Sequence, residues 1–229
     1  VKRSAVLAGL GAAALLACAA SLALGDAQPR FETSSTYLSK YIWRGFTNSA
    51  GSVAQNDISV GFNDFTLNVW GNYDAGDSKR VNEVDYTLDY TKRAGIYNYS
   101  LGYTYYTFPN TRVNKTQELY FGITNSDSEW SPALTVYHDF DEGKGTYATL
   151  SVSHNLTESR FPARFTASVG YNSKLYWRKS GFSDAVFSLS VPVKVSRNLA
   201  VVPTFWYSAG LDSDFKSTFF TGLQLAWGQ

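Results

Sequence analysis

The 229-residue sequence predicts an all-β fold: a closed antiparallel transmembrane β-barrel of about twelve strands. Three observations lead there. Apolar and polar residues alternate in stretches of about ten along almost the whole chain, each stretch bounded by Gly, Asn, Asp, Ser or Pro. Charged residues make up 17% of the sequence and aromatics 16%, where a soluble domain carries about 25% charged residues. The N-terminus, finally, has the pattern of an export signal. With 20 Lys and Arg against 19 Asp and Glu the net charge is +1, so the basic footprint of a nucleic-acid partner is absent. The single Cys excludes an intrachain disulfide and any multi-cysteine metal site.

Residues 1–25 read as a signal peptide. Lys2 and Arg3 form the positive n-region, Ala5 to Leu24 the apolar run, and Ala23-Leu24-Gly25 the small-residue site, with cleavage before Asp26. Two other readings stay open. The run is long enough for a membrane anchor, although it lacks positive charge on its far side. Leu15-Leu16-Ala17-Cys18 also looks like a lipoprotein box, although apolar sequence continues past Cys18. Since the chain has no Met, the start at Val1 is read as a non-AUG codon or a truncation. Residues 26–229 form the barrel domain.

The strands follow in order. A first strand runs through Tyr37, Tyr41 and Trp43. Ile58, Val60 and Phe62 then alternate with Asp57, Ser59 and Gly61, and Asn63-Asp64 makes a tight turn into Phe65, Leu67, Val69 and Tyr73. Val84, Tyr86, Leu88 and Tyr90 oppose Asp85, Thr87 and Asp89, and after Arg93-Ala94-Gly95 the tyrosines 97, 99, 103 and 105 share a face with Leu101. Further apolar faces are Leu119 to Ile123, Leu134 and Val136, Ala148 to Val152, Phe165 to Tyr171, Phe187 to Val193, Val201 to Tyr207, and Phe219 to Leu225. Twelve membrane-crossing strands of about 10 residues use roughly 120 residues of the mature chain and leave connections of ordinary length. Ten or fourteen strands remain compatible with the pattern.

A soluble sandwich also alternates, so the discriminator is what each face carries. Here the polar face is Ser, Thr, Asn, Gly and Asp with few Lys or Glu, and the other is Leu, Val, Phe and Tyr. An exported sheet of that kind closes on itself, because lipid cannot satisfy a free backbone edge. Trp43, Tyr73, Tyr105 and Tyr207 at the loop ends, with Tyr90 and Trp227 at the turn ends, suit the two interfacial girdles. Pro192 and Pro203 each remove a ladder donor and are expected toward the short-turn end.

Thr36-Tyr37-Leu38-Ser39-Lys40-Tyr41-Ile42-Trp43-Arg44-Gly45-Phe46 resembles the opening of the TorF-type porins of proteobacteria. The specific motif spans about a dozen residues, while length and strand cadence agree over nearly the whole mature chain. The resemblance implies an outer-membrane channel and no particular solute. Outer-membrane proteins commonly end on an aromatic residue, whereas here Gly228 and Gln229 follow Trp227.

Strand parity places ten charged residues in the lumen: Lys40, Arg44, Arg164 and Lys194 with Asp57, Asp85, Asp89, Glu118, Asp139 and Asp184. Opposite charges pair across such a lumen, or separate acidic and basic walls orient a polar solute. No catalytic, cofactor or metal residues are expected. His138 and His154 lack ligand spacing, and Ser153-His154-Asn155 cannot form a triad because strand neighbours point to opposite faces. The expected function is passive passage of small hydrophilic solutes through the outer membrane of a Gram-negative bacterium. A closed structural or loop-interaction barrel is the alternative, and an outer-membrane lipid hydrolase a weaker one. Partners are outer-membrane lipid and lipopolysaccharide, the assembly machinery and small polar solutes. Lys174, Arg178 and Lys179, interleaved with Tyr176 and Trp177, could touch lipopolysaccharide phosphates.

Overall fold

The computed structural model describes residues 28–156 and 162–228. The signal segment, Cys18 and most of the turn expected at 157–162 lie outside the described residues. The described residues form fifteen strands: β1 Arg30–Leu38, β2 Tyr41–Trp43, β3 Phe46–Ser49, β4 Val53–Phe62, β5 Phe65–Asp74, β6 Arg80–Ala94, β7 Tyr97–Thr107, β8 Thr116–Asn125, β9 Ala133–Asp139, β10 Gly145–Leu156, β11 Ala163–Ser173, β12 Ser180–Ser190, β13 Val193–Lys194, β14 Leu199–Gly210 and β15 Thr218–Gly228. All except β2, β3 and the short β13 form a twelve-stranded antiparallel wall in sequence order. Pairing of β1 with β15, from Glu32↔Gly228 to Leu38↔Gly222, closes it into a barrel and leaves the wall without an open edge.

Alternation decides which side of the wall each residue takes. Ile58, Leu101 and Phe219 point outward and are each more than half exposed, and every wall strand carries exposed large apolar residues on its outer face. Asn72, Glu118, Asp139 and Asp184 point inward and are almost fully buried. This is the inverse of a soluble domain and the form in which a barrel meets lipid. Tyr73, Tyr207 and Trp227 sit on the outer face near its two ends, as girdle residues do. Pro203 lies just beyond the last β12–β14 pair, Ser190↔Thr204, where a missing donor costs least.

The first strand departs from expectation. The wall strand is Arg30–Leu38, and Tyr41 to Trp43 belong instead to a hairpin, β2–β3, that forms its own two-stranded sheet. The chain turns off the wall at Ser39, whose N–H donates to the Thr221 carbonyl at 2.9 Å, and Lys40 Nζ donates to Thr218 Oγ1 at 2.6 Å. Trp43 pairs with Phe46 across a two-residue turn, with φ of 49° at Arg44 and 84° at Gly45. Both turn residues are left-handed, as the tight hairpin turns that match strand twist require. Glycine meets that demand freely at 45; arginine does so at 44 at a cost on the order of 1 kcal/mol. Trp43 is therefore a lumen residue and not part of a girdle.

Candidate functional site

The hairpin crosses the lumen at the mouth opposite the chain termini. Its root is apolar: Leu38, Tyr41 and Val53 are buried together, with Trp43, Trp70 and Trp206 packed against them. Tyr41 meets Trp70 with ring centroids 5.8 Å apart, and Trp206 stacks on Phe220 at 5.1 Å. A methyl group on Gly222 would lie 2.4 Å from Leu38 Cδ2, so the wall is shaved at that point to admit the root.

The tip reaches the far wall. Arg44 Nη1 and Nη2 donate to Glu118 Oε2 and Oε1 at 2.6 and 2.8 Å, and Tyr106 OH donates to Oε1 at 3.0 Å. Both partners are buried, with 8% and 1% of their side chains exposed. The guanidinium also lies 4.5, 4.2 and 5.0 Å from the ring centroids of Trp43, Tyr137 and Tyr147. A bidentate, aromatic-boxed Arg–carboxylate pair is directional and strong when desolvated. Two loops close over it. Tyr176, from the 174–179 loop, packs near Trp43 and donates to Asp139 Oδ2 at 3.1 Å, while Phe215, from the 211–217 loop, sits 5.1 Å from Phe46. A Cβ on Gly45 would come within 2.9 Å of Phe215.

Seven of the ten expected lumen residues come from wall strands facing inward or from the hairpin tip. Arg44 and Glu118 form the cross-lumen pair. Asp57 accepts from Asn68 Nδ2 at 2.6 Å, Asp89 from Tyr120 OH at 2.5 Å, and Asp184 from Tyr147 OH at 3.2 Å. Asp139 accepts from Thr116 and from the backbone of Asp141 and Gly143, organising the loop that follows β9. Asp85 Oδ1 is buried without a hydrogen-bond partner. The remaining bases correct the expected basic wall. Lys40 is spent on Thr218 beside the root of the hairpin. Arg164 and Lys194 are exposed at the mouth that carries the termini, because β11 and β13 begin or end there. Among the described residues no basic wall faces the acidic residues of the mid-lumen.

Glu83 was not among the expected residues. It shares the inward face of β6 with Asp85; a strand beginning at Val84 omits it, and strand parity extended one pleat reaches it. The histidines lie on the outer face. His138 Nδ1 is 3.0 Å from Thr146 Oγ1, and His154 stacks on Trp130 at 4.7 Å. Ser153 points the other way, 2.9 Å from Thr166 Oγ1. In the outer loops Lys179 is paired with Asp212 and Asp214, and Trp177 Nε1 donates to Asp214 Oδ2 at 2.8 Å.

Solved structures share this architecture. The KdgM porin in complex with disordered oligogalacturonate matches at a TM-score of 0.58 and 11% identity, covering 86% of this chain and 98% of that one. The barrel has the porin fold. The NanC porin matches at 0.56 and 7% identity over 86% of this chain and 97% of its own. An outer membrane channel from Pseudomonas putida F1 matches at 0.51 and 9% identity, covering 88% and 95%. No family model matches the sequence, and no curated protein does.

Proposed function

We propose that the chain is an outer-membrane channel of a Gram-negative bacterium that passes small hydrophilic solutes passively, and that it belongs with the TorF-type porins. The observation that carries this reading is the inverted wall: apolar and exposed outside, polar and hydrogen-bonded inside, with no open edge. The termini then lie in the periplasm, and the hairpin narrows the outer mouth. Residues 1–25 act as the export signal, and the mass of the protein extracted from outer membranes should correspond to a chain beginning at Asp26. The test of transport is a planar-bilayer recording of the refolded barrel, which should show discrete ohmic steps. An inserted barrel that stays silent would overturn passive passage.

The hairpin itself favours a second reading, a barrel held closed. A variant with residues 40–48 replaced by a short Gly-Ser turn separates the two. Conduction by this variant alone supports the closed barrel, and conduction by both, larger in the variant, supports a constricted channel.

A further inference from the structure

A cavity of about 430 Å³ opens between the hairpin and the ends of β6 and β7 at the same mouth. Six of its lining residues are aromatic, and none is Lys or Arg. Trp43 and Tyr106 meet there with ring centroids 6.4 Å apart and planes at 70°, which gives the space an aromatic corner.

Its polar side is built by a β-bulge. Asn72 of β5 is paired with Glu83 and Tyr73 with Val81, so Asn82 is an extra residue in β6. In a regular strand Asn82 and Glu83 would point to opposite faces; here both line the cavity. Asn82 is held by a relay of amides from the wall. Gln55 Nε2 donates to Asn72 Oδ1 at 3.2 Å, and Asn72 Nδ2 donates to Asn82 Oδ1 at 2.7 Å. Asn72 is fully buried, so the relay is fixed; it occupies the acceptor of Asn82 and leaves the Nδ2 donor without a partner among the described residues. Asn110 Nδ2 donates to the Val81 carbonyl at 2.9 Å, which ties the loop carrying Phe108 and Thr111 to the bulge.

An amide donor beside a carboxyl acceptor, set against aromatic rings, calls for a particular guest. Two adjacent hydroxyls satisfy both groups at once, one accepting from Asn82 and its neighbour donating to Glu83, while the C–H face of the same ring covers an aromatic side chain. A purely apolar guest leaves the amide and the carboxyl unsatisfied. A cation sets its own N–H groups against the Asn82 donor, and an anion meets Glu83 with no base in the lining to receive it. We infer that the cavity binds a neutral polyhydroxylated ring of the pyranose type, with vicinal hydroxyls on Asn82 and Glu83 and its C–H face in the corner of Trp43 and Tyr106. The inference rests on the channel reading and narrows its solutes to uncharged saccharides.

Equilibrium dialysis of labelled methyl β-D-glucopyranoside with the full barrel, in an amine-oxide detergent that carries no sugar, tests it. The competitors are glucuronate, protonated glucosamine and cyclohexanol. Unlabelled glucoside should compete about fivefold better than any of the three. Asn82→Leu and Glu83→Met, which remove the donor and the acceptor separately, should each abolish that advantage. Asn98→Leu, on β7 at the opposite mouth, should retain it. The competitor series needs no variant, so it decides even where a substitution prevents folding. Absent binding, equal competition by cyclohexanol, or stronger competition by either charged sugar overturns the inference. An advantage kept by both bulge variants, or lost in Asn98→Leu, overturns it equally. The barrel's potassium chloride conductance, measured separately, reports on the channel reading: binding with a silent bilayer sinks passage and leaves the site, and conduction without selective binding does the reverse.

Discussion

The wall of this barrel and the hairpin that leaves it use the same alphabet, alternating apolar and polar residues with aromatics at the ends, yet they are held by opposite means. In the wall each strand is fixed by a ladder on both sides and by an apolar face turned outward. The hairpin has no ladder to the wall. It is fixed at its root by packing of Leu38, Tyr41 and Val53, and at its tip by one ion pair. Ladder closure is cooperative and tolerant of single changes, whereas a strut pinned at two points depends on each pin.

The sharpest way to break that strut is Arg44→Ala. Removing one partner of a buried pair costs about 3–5 kcal/mol, and here the loss should fall on the hairpin. Amide exchange across Tyr41–Ser49 should accelerate and conductance should rise, while the wall melts nearly as before. Replacing Arg44 and Glu118 together by Leu should be much milder, since no charge is then left buried alone. Leu38→Ala attacks the other pin at about 2–5 kcal/mol, and its exchange pattern should spread from the root at Tyr41 and Val53. In the wall, Leu88→Arg places a charge on the lipid face at about 2–4 kcal/mol near mid-bilayer. It should lower folding yield in bilayers without altering the hairpin in molecules that fold, and a tolerated arginine there would mean the strand's faces are reversed.

The smallest effect concerns the outer loops. The backbone N–H of Asp214 holds the Asp212 carboxyl below its ordinary 3.8, and the Trp177 and Lys179 side chains do the same for Asp214. Groups with depressed values contribute above the ordinary carboxylate range and lose that contribution as pH falls through their own lower values. The Trp177 indole N–H resonance should therefore shift below about pH 4 and stay constant from there to neutrality. At these exposed positions the change should leave barrel stability unmoved.

Period-two patterning was enough to read the wall: strand number, inward and outward faces, and the placement of Asp85, Asp89 and Glu118 all follow from it. It could not separate a strand in the wall from a strand inside the lumen, because Tyr41, Ile42 and Trp43 alternate like any wall segment. The local signal was Arg44-Gly45, a left-handed pair ending one short strand and starting another, but arginine is not a residue that announces such a turn. Where the four bases go was illegible for another reason. Their partners lie 74 and 178 residues away for Arg44 and Lys40, and parity says nothing about distance along a lumen.

Those separations bear on the order of assembly. The hairpin lies between the first two wall strands, yet Glu118, Tyr147, Phe215 and Thr218 arrive from the eighth strand to the last. Contacts so far apart in sequence form late. A nascent barrel therefore passes through a stage with its first strand in place and its mouth unobstructed. The arginine finds its seat when the far wall has been laid down, which makes the seated hairpin a mark of a finished molecule.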